Sequence, residues 1–309
     1  MFEAQNAQIP LTGEDLAADL GYFIRLHESR APKTPDHSAA KWDQRADAWE
    51  GDPNSQERTK NDDRVRDAVQ YLKERGVLTP ESAVADIGCG PGRFAAAFGK
   101  IARSVTGFDI SERMVHYGRE IAREAGLNNV DFRVCDFQSL DVEKEGLARQ
   151  FDLVYCSLTP AVHGINGLEK MMSLSRGYCC YITHIYGENQ LERRIMQEVF
   201  GRDWKTRWTG RWFYSQFNVL YLSGYYPEAS YYRRHRAQRF RPGPQYVEHF
   251  LEYVLGPADR SRENAARIAA WLAAHTEEDG MLEEVSDTWY GRILWDVREK
   301  TERAIYTRG

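Results

Sequence analysis

The chain has 309 residues, 42% of them apolar and 28% charged, an ordinary globular composition with room for a sizeable core. A formal net charge of −5 argues against a dedicated nucleic-acid binder, although a basic patch can sit inside an acidic total. No run approaches the roughly 18 to 20 apolar residues of a membrane span, and the start, MFEAQNAQIPLTGEDLAADL, lacks the basic and apolar stretches of a signal peptide. The expectation is a cytoplasmic protein without a membrane partner.

Residues 12 to 30 have helical spacing around Leu16, Leu20, Phe23 and Ile24, followed by the polar, proline-containing link ESRAPKTPDHS. KWDQRADAWEGDP then sets Trp42 and Trp49 on one helical face. A further helix, DDRVRDAVQYLKERG, ends at Gly76, where a glycine C-cap belongs. From residue 83 apolar and helical runs alternate: AVADIG, RFAAAFGKIA, SVTGFDI, SERMVHYGREIAREAG, VDFRVCDF, FDLVYCSL, NGLEKMMSLS and GYCCYITHIY. That alternation predicts a mostly parallel sheet with helices on both faces. Ser111 sits where an N-cap belongs, and Met114, Tyr117, Gly118, Ile121, Ala122 and Ala125 form one core-facing stripe.

After residue 187 the alternation stops. A helical region (188 to 223) leads to the strand-like SYYRRHRAQRF, two helical stretches follow near 244 to 255 and 259 to 275, and TWYGRILWDVRE supplies a last strand. The late helices read as an insertion between the final two strands. The expected organisation is therefore a helical N-terminal cap (1–76), a Rossmann-like core (77–187) and the rest of the sheet with helical insertions (188–309), one domain overall. The five cysteines, at 89, 135, 156, 179 and 180, contain no C-x-x-C pair. They fit neither a disulfide framework nor a zinc site in a protein expected to hold no metal, and Cys135, Cys156, Cys179 and Cys180, inside apolar strand-like runs, read as reduced core thiols.

The glycine-rich turn after the first strand, Gly88-Cys-Gly90-Pro-Gly92, narrows the ligand. A dinucleotide site asks for G-x-G-x-x-G, and position 93 is arginine; a P-loop asks for G-K-[ST], which does not follow. VADIGCGPGRF resembles motif I of the class I S-adenosylmethionine-dependent methyltransferases, [DE]-x-G-x-G-x-G. Two more acids fall where that family has them: Asp109 ends SVTGFD, and Asp136 ends VDFRVCD, with FDLVYCSLTPAV similar to the family's motif IV. The resemblance covers residues 83 to 186.

That resemblance implies a Rossmann-like, doubly wound α/β fold of seven strands, S-adenosylmethionine as cofactor and S-adenosylhomocysteine as product. It implies a cofactor site of Asp86, Gly88, Cys89, Gly90, Gly92, Asp109, Ile110, Met114, Asp136, Phe137 and Ser157. In that site Asp86 takes the ammonium group, Asp109 the ribose hydroxyls and Asp136 the adenine amino group, with Phe137 stacking. Three acids suit a ligand carrying sulfonium and ammonium charges, where a pyrophosphate would be repelled. Asp109→Ala is expected to weaken cofactor binding with little effect on folding.

Methyl transfer from a sulfonium is an in-line displacement that needs alignment and exclusion of water, with a base only for some acceptors. His163 and His184 are the candidate bases. Trp42, Thr159, Tyr186, Asn189, Trp212 and Tyr225 are the candidate acceptor contacts, and KWDQRADAWE resembles the segment that closes over the cofactor in small-molecule members. SLTP differs from the [DNS]-P-P-[FYW] signature of amino-methyltransferases acting on adenine or glutamine. Residues 201 to 241 hold nine Lys or Arg against two acids, with twelve aromatics interleaved. That stretch reads as a cover over the acceptor, as a stacking surface for RNA, or as a charged edge strand that blocks sheet pairing. The expected function is methyl transfer to a small, anionic or aromatic acceptor. An RNA or protein methyltransferase and a non-catalytic cofactor-binding partner or sensor are the alternatives.

Overall fold

In the computed structural model the described residues are 13–28, 38–50, 56–203, 207–208, 210–255 and 257–301. They build three N-terminal helices, α1 (Gly13–Glu28), α2 (Ala39–Glu50) and α3 (Gln56–Glu74), then alternate: β1 (Ala83–Ile87), α4 (Arg93–Gly99), β2 (Ser104–Asp109), α5 (Glu112–Glu124), β3 (Val130–Val134), β4 (Phe151–Ser157), α6 (Gly164–Leu174) and β5 (Ser175–Asn189). The remainder is α7 (Gln190–Phe200), β6 (Arg207–Trp208), α8 (Arg211–Leu222), β7 (Glu228–Phe240), α9 (Pro244–His249), α10 (Arg262–His275) and β8 (Leu282–Asp296), with a π-helical turn at Phe250–Val254. Among the described residues no helix is long and apolar enough to cross a membrane.

The sheet order is β3-β2-β1-β4-β5-β8-β7, with β6 paired to β5 off that path. β1 pairs in parallel with both β2 and β4, β2 with β3, and β4 with β5; the two-residue β6 is antiparallel. The chain thus leaves β1 outward through β2 and β3, then crosses back to β4 on the other side. A switch of this kind opens a crevice at the carboxyl ends of β1 and β4, where ligands bind in doubly wound folds. The last strand in sequence, β8, lies between β5 and β7, and the expected helical insertion is α9 through α10. Two details escaped the hydrophobic pattern: α3 begins six residues earlier than the apolar spacing implies, and β6 is too short to leave a period.

Contacts divide the chain into two compact units, Met1–Thr183 with Arg211–Ser230 and Arg292–Gly309, and His184–Gly210 with Tyr231–Gly291. This cuts across the boundaries expected from sequence, because β5, β7 and β8 each supply residues to both. The second unit has its own core of Leu191, Ile195, Val247, Phe250, Leu255, Ile268, Trp271, Leu272 and Leu282.

In the first unit β1 is buried along its whole length. α5 is capped by Ser111, whose Oγ accepts from the Met114 amide at 3.1 Å, and buries Met114, Val115, Gly118 and Ala122. Val115 replaces Ala125 in the expected stripe. Cys89, Cys156, Cys179 and Cys180 are buried free thiols, and Cys135 is half-buried. α3 is fastened by Arg292 of β8, which meets Asp67 at 2.6 Å and stacks 4.4 Å from the Tyr71 ring.

Phe132 of β3 fills a socket made by glycines. A Cβ on Gly92 would stand 2.5 Å from its ring, on Gly118 2.7 Å and on Gly107 2.8 Å. Gly118→Ala is therefore expected to destabilise the protein although it lies in a helix, because overpacking costs about 1–3 kcal/mol against a propensity gain of about 1 kcal/mol. In urea unfolding the loss should shrink on a Phe132→Leu background; an equal loss there would break the link between the two residues.

Candidate functional site

A cavity in the first unit lies at the switch point, at the ends of β1, β2 and β4. Its floor is the turn Gly88–Gly92, and the three glycines serve different ends. Gly88 has φ +63°, and a Cβ there would overlap Thr159 at 2.1 Å, so its bareness lets the β4–α6 loop cross the turn. Gly90 has φ +54°, lines the cavity, and a Cβ on it would meet nothing within 4 Å: it is the glycine that keeps space open for a ligand. Gly92, expected in the cofactor site, does not line the cavity. It caps α4 at φ +74° under the Phe132 ring, so its role is packing.

Two carboxylates face this turn, Asp86 buried and Asp109 half-buried. Asp109 accepts the Gly90 amide at 2.8 Å through Oδ2 and the Ser111 amide at 3.0 Å through Oδ1. Burial raises its pKa, and the amides of Ser111, Gly90 and Ile110 pull against it. Asp109→Ala would thus cost the turn its anchor as well as the ligand, a correction to the expected separation of binding from folding.

Asp86 is 2% exposed, and its Oδ2 has no hydrogen-bond partner. Burial first, and then the Asp109 charge, push its carboxyl up to about 8, while the Ala95 amide pulls it down. An unpaired carboxylate beside a second one is costly unless a cation arrives. The Cys89 thiol between them is held well up by burial and by both acids, so it stays protonated and is no nucleophile.

The expected residues separate cleanly by place. Asp86, Gly88, Cys89, Gly90, Asp109, Ile110, Met114, Asp136, Phe137 and Ser157 line the cavity, as do Trp42, Thr159 and His163. His163 precedes α6, with its Nδ1 2.9 Å from the Pro160 carbonyl. Nδ1–H donates there, which leaves Nε2 as the acceptor nitrogen.

The others are not among its lining residues. His184 stands edge-on to Tyr290 at 5.7 Å in the second unit, its pKa lowered by burial. Tyr186 donates to Glu188, and Asn189 spends its amide on capping α7 and on Glu284 at 2.7 Å. Trp212, on α8, packs edge-on against His27 at 5.9 Å, and Tyr225 lies under Lys300, whose Nζ is 5.3 Å from its ring. Helix capping occupies Asn189 and ring contacts hold His184, Trp212 and Tyr225, and no sequence period reveals that.

Sequence reasoning missed Arg64, Phe94, Leu158 and Gln138, all in the lining. Leu158 has φ +53°, a strained conformation for a branched residue, and strain of this kind gathers at ligand sites. Gln138 had a signal, its place two residues after Asp136. Arg64 had none within the polar face of α3. Among the described residues no group of three or more His, Cys, Asp or Glu could hold a metal ion.

Residues 78–204 match a family described as a methyltransferase domain. Among curated proteins, a 23S rRNA (uracil(1939)-C(5))-methyltransferase of Alcanivorax borkumensis is 38% identical over 73 residues, 24% of this chain and 16% of the relative. A ubiquinone biosynthesis O-methyltransferase of Acinetobacter baumannii is 28% identical over 88 residues, 28% of this chain and 36% of the relative. This chain thus spans about a sixth to a third of the curated relatives it matches. A magnesium protoporphyrin IX methyltransferase structure from Synechocystis, with bound SAH, aligns with 89% of this chain and 99% of its own at 15% identity and a TM-score of 0.44. Residues 78–204 therefore carry a methyltransferase domain, and the glycine turn, the two strand-end acids and the orphaned Asp86 oxygen lie in one cavity of it.

Proposed function

We propose that the chain methylates a small anionic or aromatic acceptor that enters the cavity beside His163. The observation that carries this reading is the Asp86 carboxylate, buried and unpartnered at Oδ2 next to an open glycine. It suits a cationic ligand whose ammonium group replaces the missing partner.

When bound, the cofactor supplies a methyl group on a positively charged sulfur. Asp86 would hold the ammonium, Asp109 the ribose hydroxyls, and Asp136 the adenine amino group. His163 Nε2 would take the proton of an acceptor hydroxyl or amine as its oxygen or nitrogen bonds the methyl carbon. Trp42 and Arg64 add an aromatic face and a cation to the same cavity, which supports an acceptor of that chemistry.

A second reading, methylation of RNA, is favoured by the name of the Alcanivorax relative. The basic stretch weakens it: Arg202 is paired with Asp259, Arg233 and His235 share Asp287, and Arg239 meets Glu277 and Asp279. Charges already neutralised within the chain release few counterions from a nucleic acid. The deciding experiment supplies methyl-labelled S-adenosylmethionine with either a pool of small metabolites or total RNA. Label in the metabolite fraction is expected; label in RNA, with binding that collapses as salt rises, would reverse the assignment.

Proton release checks the Asp86 argument. Because burial raises its folded pKa above the unfolded carboxylate value of about 4, the native apoprotein holds a proton that the unfolded chain has lost. Apoprotein stability therefore falls as pH rises from that value through about 8. A bound ammonium restores the ionised form, so calorimetry at pH 7 in buffers of different ionisation enthalpy should register release of close to one proton. 5′-Methylthioadenosine, which lacks the ammonium, should release none; equal release from both ligands would disconnect Asp86 from the amino-acid end.

For the acceptor found, His163→Asn should lower turnover by about 10²- to 10⁴-fold while S-adenosylhomocysteine affinity stays within about twofold. Unchanged turnover would remove His163 as the base.

A further inference from the structure

The loop after β3 that carries Asp136 and Phe137 has no ladder to hold it, because β3 ends at Val134. Its own bonds are a turn: the Gln138 amide donates to Asp136 Oδ1 at 3.0 Å and the Ser139 amide to the Asp136 carbonyl at 3.1 Å. Two side chains fasten this turn from outside. Lys170, on α6, donates from Nζ to the carbonyls of Phe137 at 3.1 Å and Gln138 at 2.5 Å, the peptides that follow Asp136. Gln138 donates from Nε2 to the Ala161 carbonyl at 2.6 Å and the His163 carbonyl at 3.4 Å. The helix can come this close because position 167 is glycine; a Cβ there would stand 2.9 Å from Gln138 Nε2.

We propose that Lys170 and Gln138 form a brace that sets the adenine-reading loop and joins it to the loop bearing His163, which makes Lys170 a positioning residue for base discrimination although it does not line the cavity. The inference rests on the cofactor reading of that cavity. The physical reason is directional. An ammonium shared by two successive carbonyls fixes the orientation of both peptides through charge-assisted hydrogen bonds. The amide that aims the Asp136 carboxylate belongs to one of the residues so held. Released from Lys170, the turn keeps its internal bonds and loses its angle to the cavity, so an adenine amino group no longer meets the carboxylate squarely. Because Gln138 runs from the same loop to residues 161 and 163, adenine binding and the setting of His163 share one support.

The test compares S-adenosylhomocysteine with S-inosylhomocysteine, in which the 6-amino group is replaced by a carbonyl oxygen, by calorimetry on the full chain. Wild-type protein is expected to prefer the adenine ligand. Lys170→Met should lower affinity for the adenine ligand about tenfold, the scale of one charge-assisted hydrogen bond. Affinity for the inosine ligand should change by less than about twofold, and Lys170→Arg should recover most of the preference. Gly167→Ala pushes on Gln138 from the helix side, keeps Lys170 and favours the helix, so it should narrow the preference even if Lys170→Met does not fold. Equal losses for both ligands, or an unaltered preference in Lys170→Met and Gly167→Ala, would overturn the brace. Failure of the wild type to bind either ligand would remove the cofactor reading, and the brace with it.

Discussion

The turn Gly88–Gly92 is gripped on three sides, and most of the first unit is arranged by that grip. Thr159 sits where a Cβ of Gly88 would be, Asp109 holds the Gly90 amide, and the Phe132 ring lies against Gly92. Each grip comes from a different strand or strand-end loop, β4, β2 and β3, so the turn is the point at which the parallel ladders are brought into register with the ligand crevice. A side chain at any of the three positions meets a different obstacle: Thr159 at 88, Phe132 at 92, and at 90 the ligand space itself. Left-handed φ values at all three add a backbone penalty to any residue with a Cβ.

This grip also explains how two acids are tolerated at close quarters. Asp109 accepts backbone amides that the turn and the α5 N-terminus already present, which offset part of the burial that raises its pKa. Asp86 receives far less, and its shift shows where the unmet demand lies. The site is thus divided electrostatically. One carboxylate is built into the scaffold and one is left for a cation. A pyrophosphate-bearing cofactor would find the opposite of what it needs.

How much of this was legible in the sequence depends on the kind of signal. The glycine turn, Asp86 and Asp109 on their strands and the Ser111 cap are local, and each sits where its spacing put it, whereas Asp136 lies two residues past the end of β3. The alternation from residue 83 gave the strands because buried parallel strands read as continuous apolar runs. What failed was any inference that needed to know which polar groups are already spent. Asn189, a candidate acceptor contact, is a helix cap; in β7, where a cover, an RNA surface and a charged edge strand were all open, Arg233 and Arg239 pair with acids more than 35 residues away in sequence. Gly92 belonged to the motif by spacing and to the core by contact, a distinction that only the position of Phe132 reveals.

The N-terminal helices acquire a purpose from the same accounting. Asp43 of α2 accepts from the Ser111 hydroxyl at 2.5 Å and from the Arg113 amide at 3.2 Å, so it completes the N-terminus of α5 that Ser111 begins. Glu28 of α1 accepts the Ile165 amide at 2.8 Å and does the same for α6, where His163 offers no side-chain cap. An orphan amide at the N-terminus of α5 and one at that of α6 are therefore met by carboxylates from the N-terminal segment. Trp42 reaches the cavity from the residue next to Asp43, which means that the contact holding α2 in place is adjacent to the one that closes the site. The negative charge of Asp43 also raises the pKa of Asp109, so α2 adds to the cation demand of the cavity as it closes it. The segment that reads in sequence as a lid also bonds as a capping layer for α5 and α6.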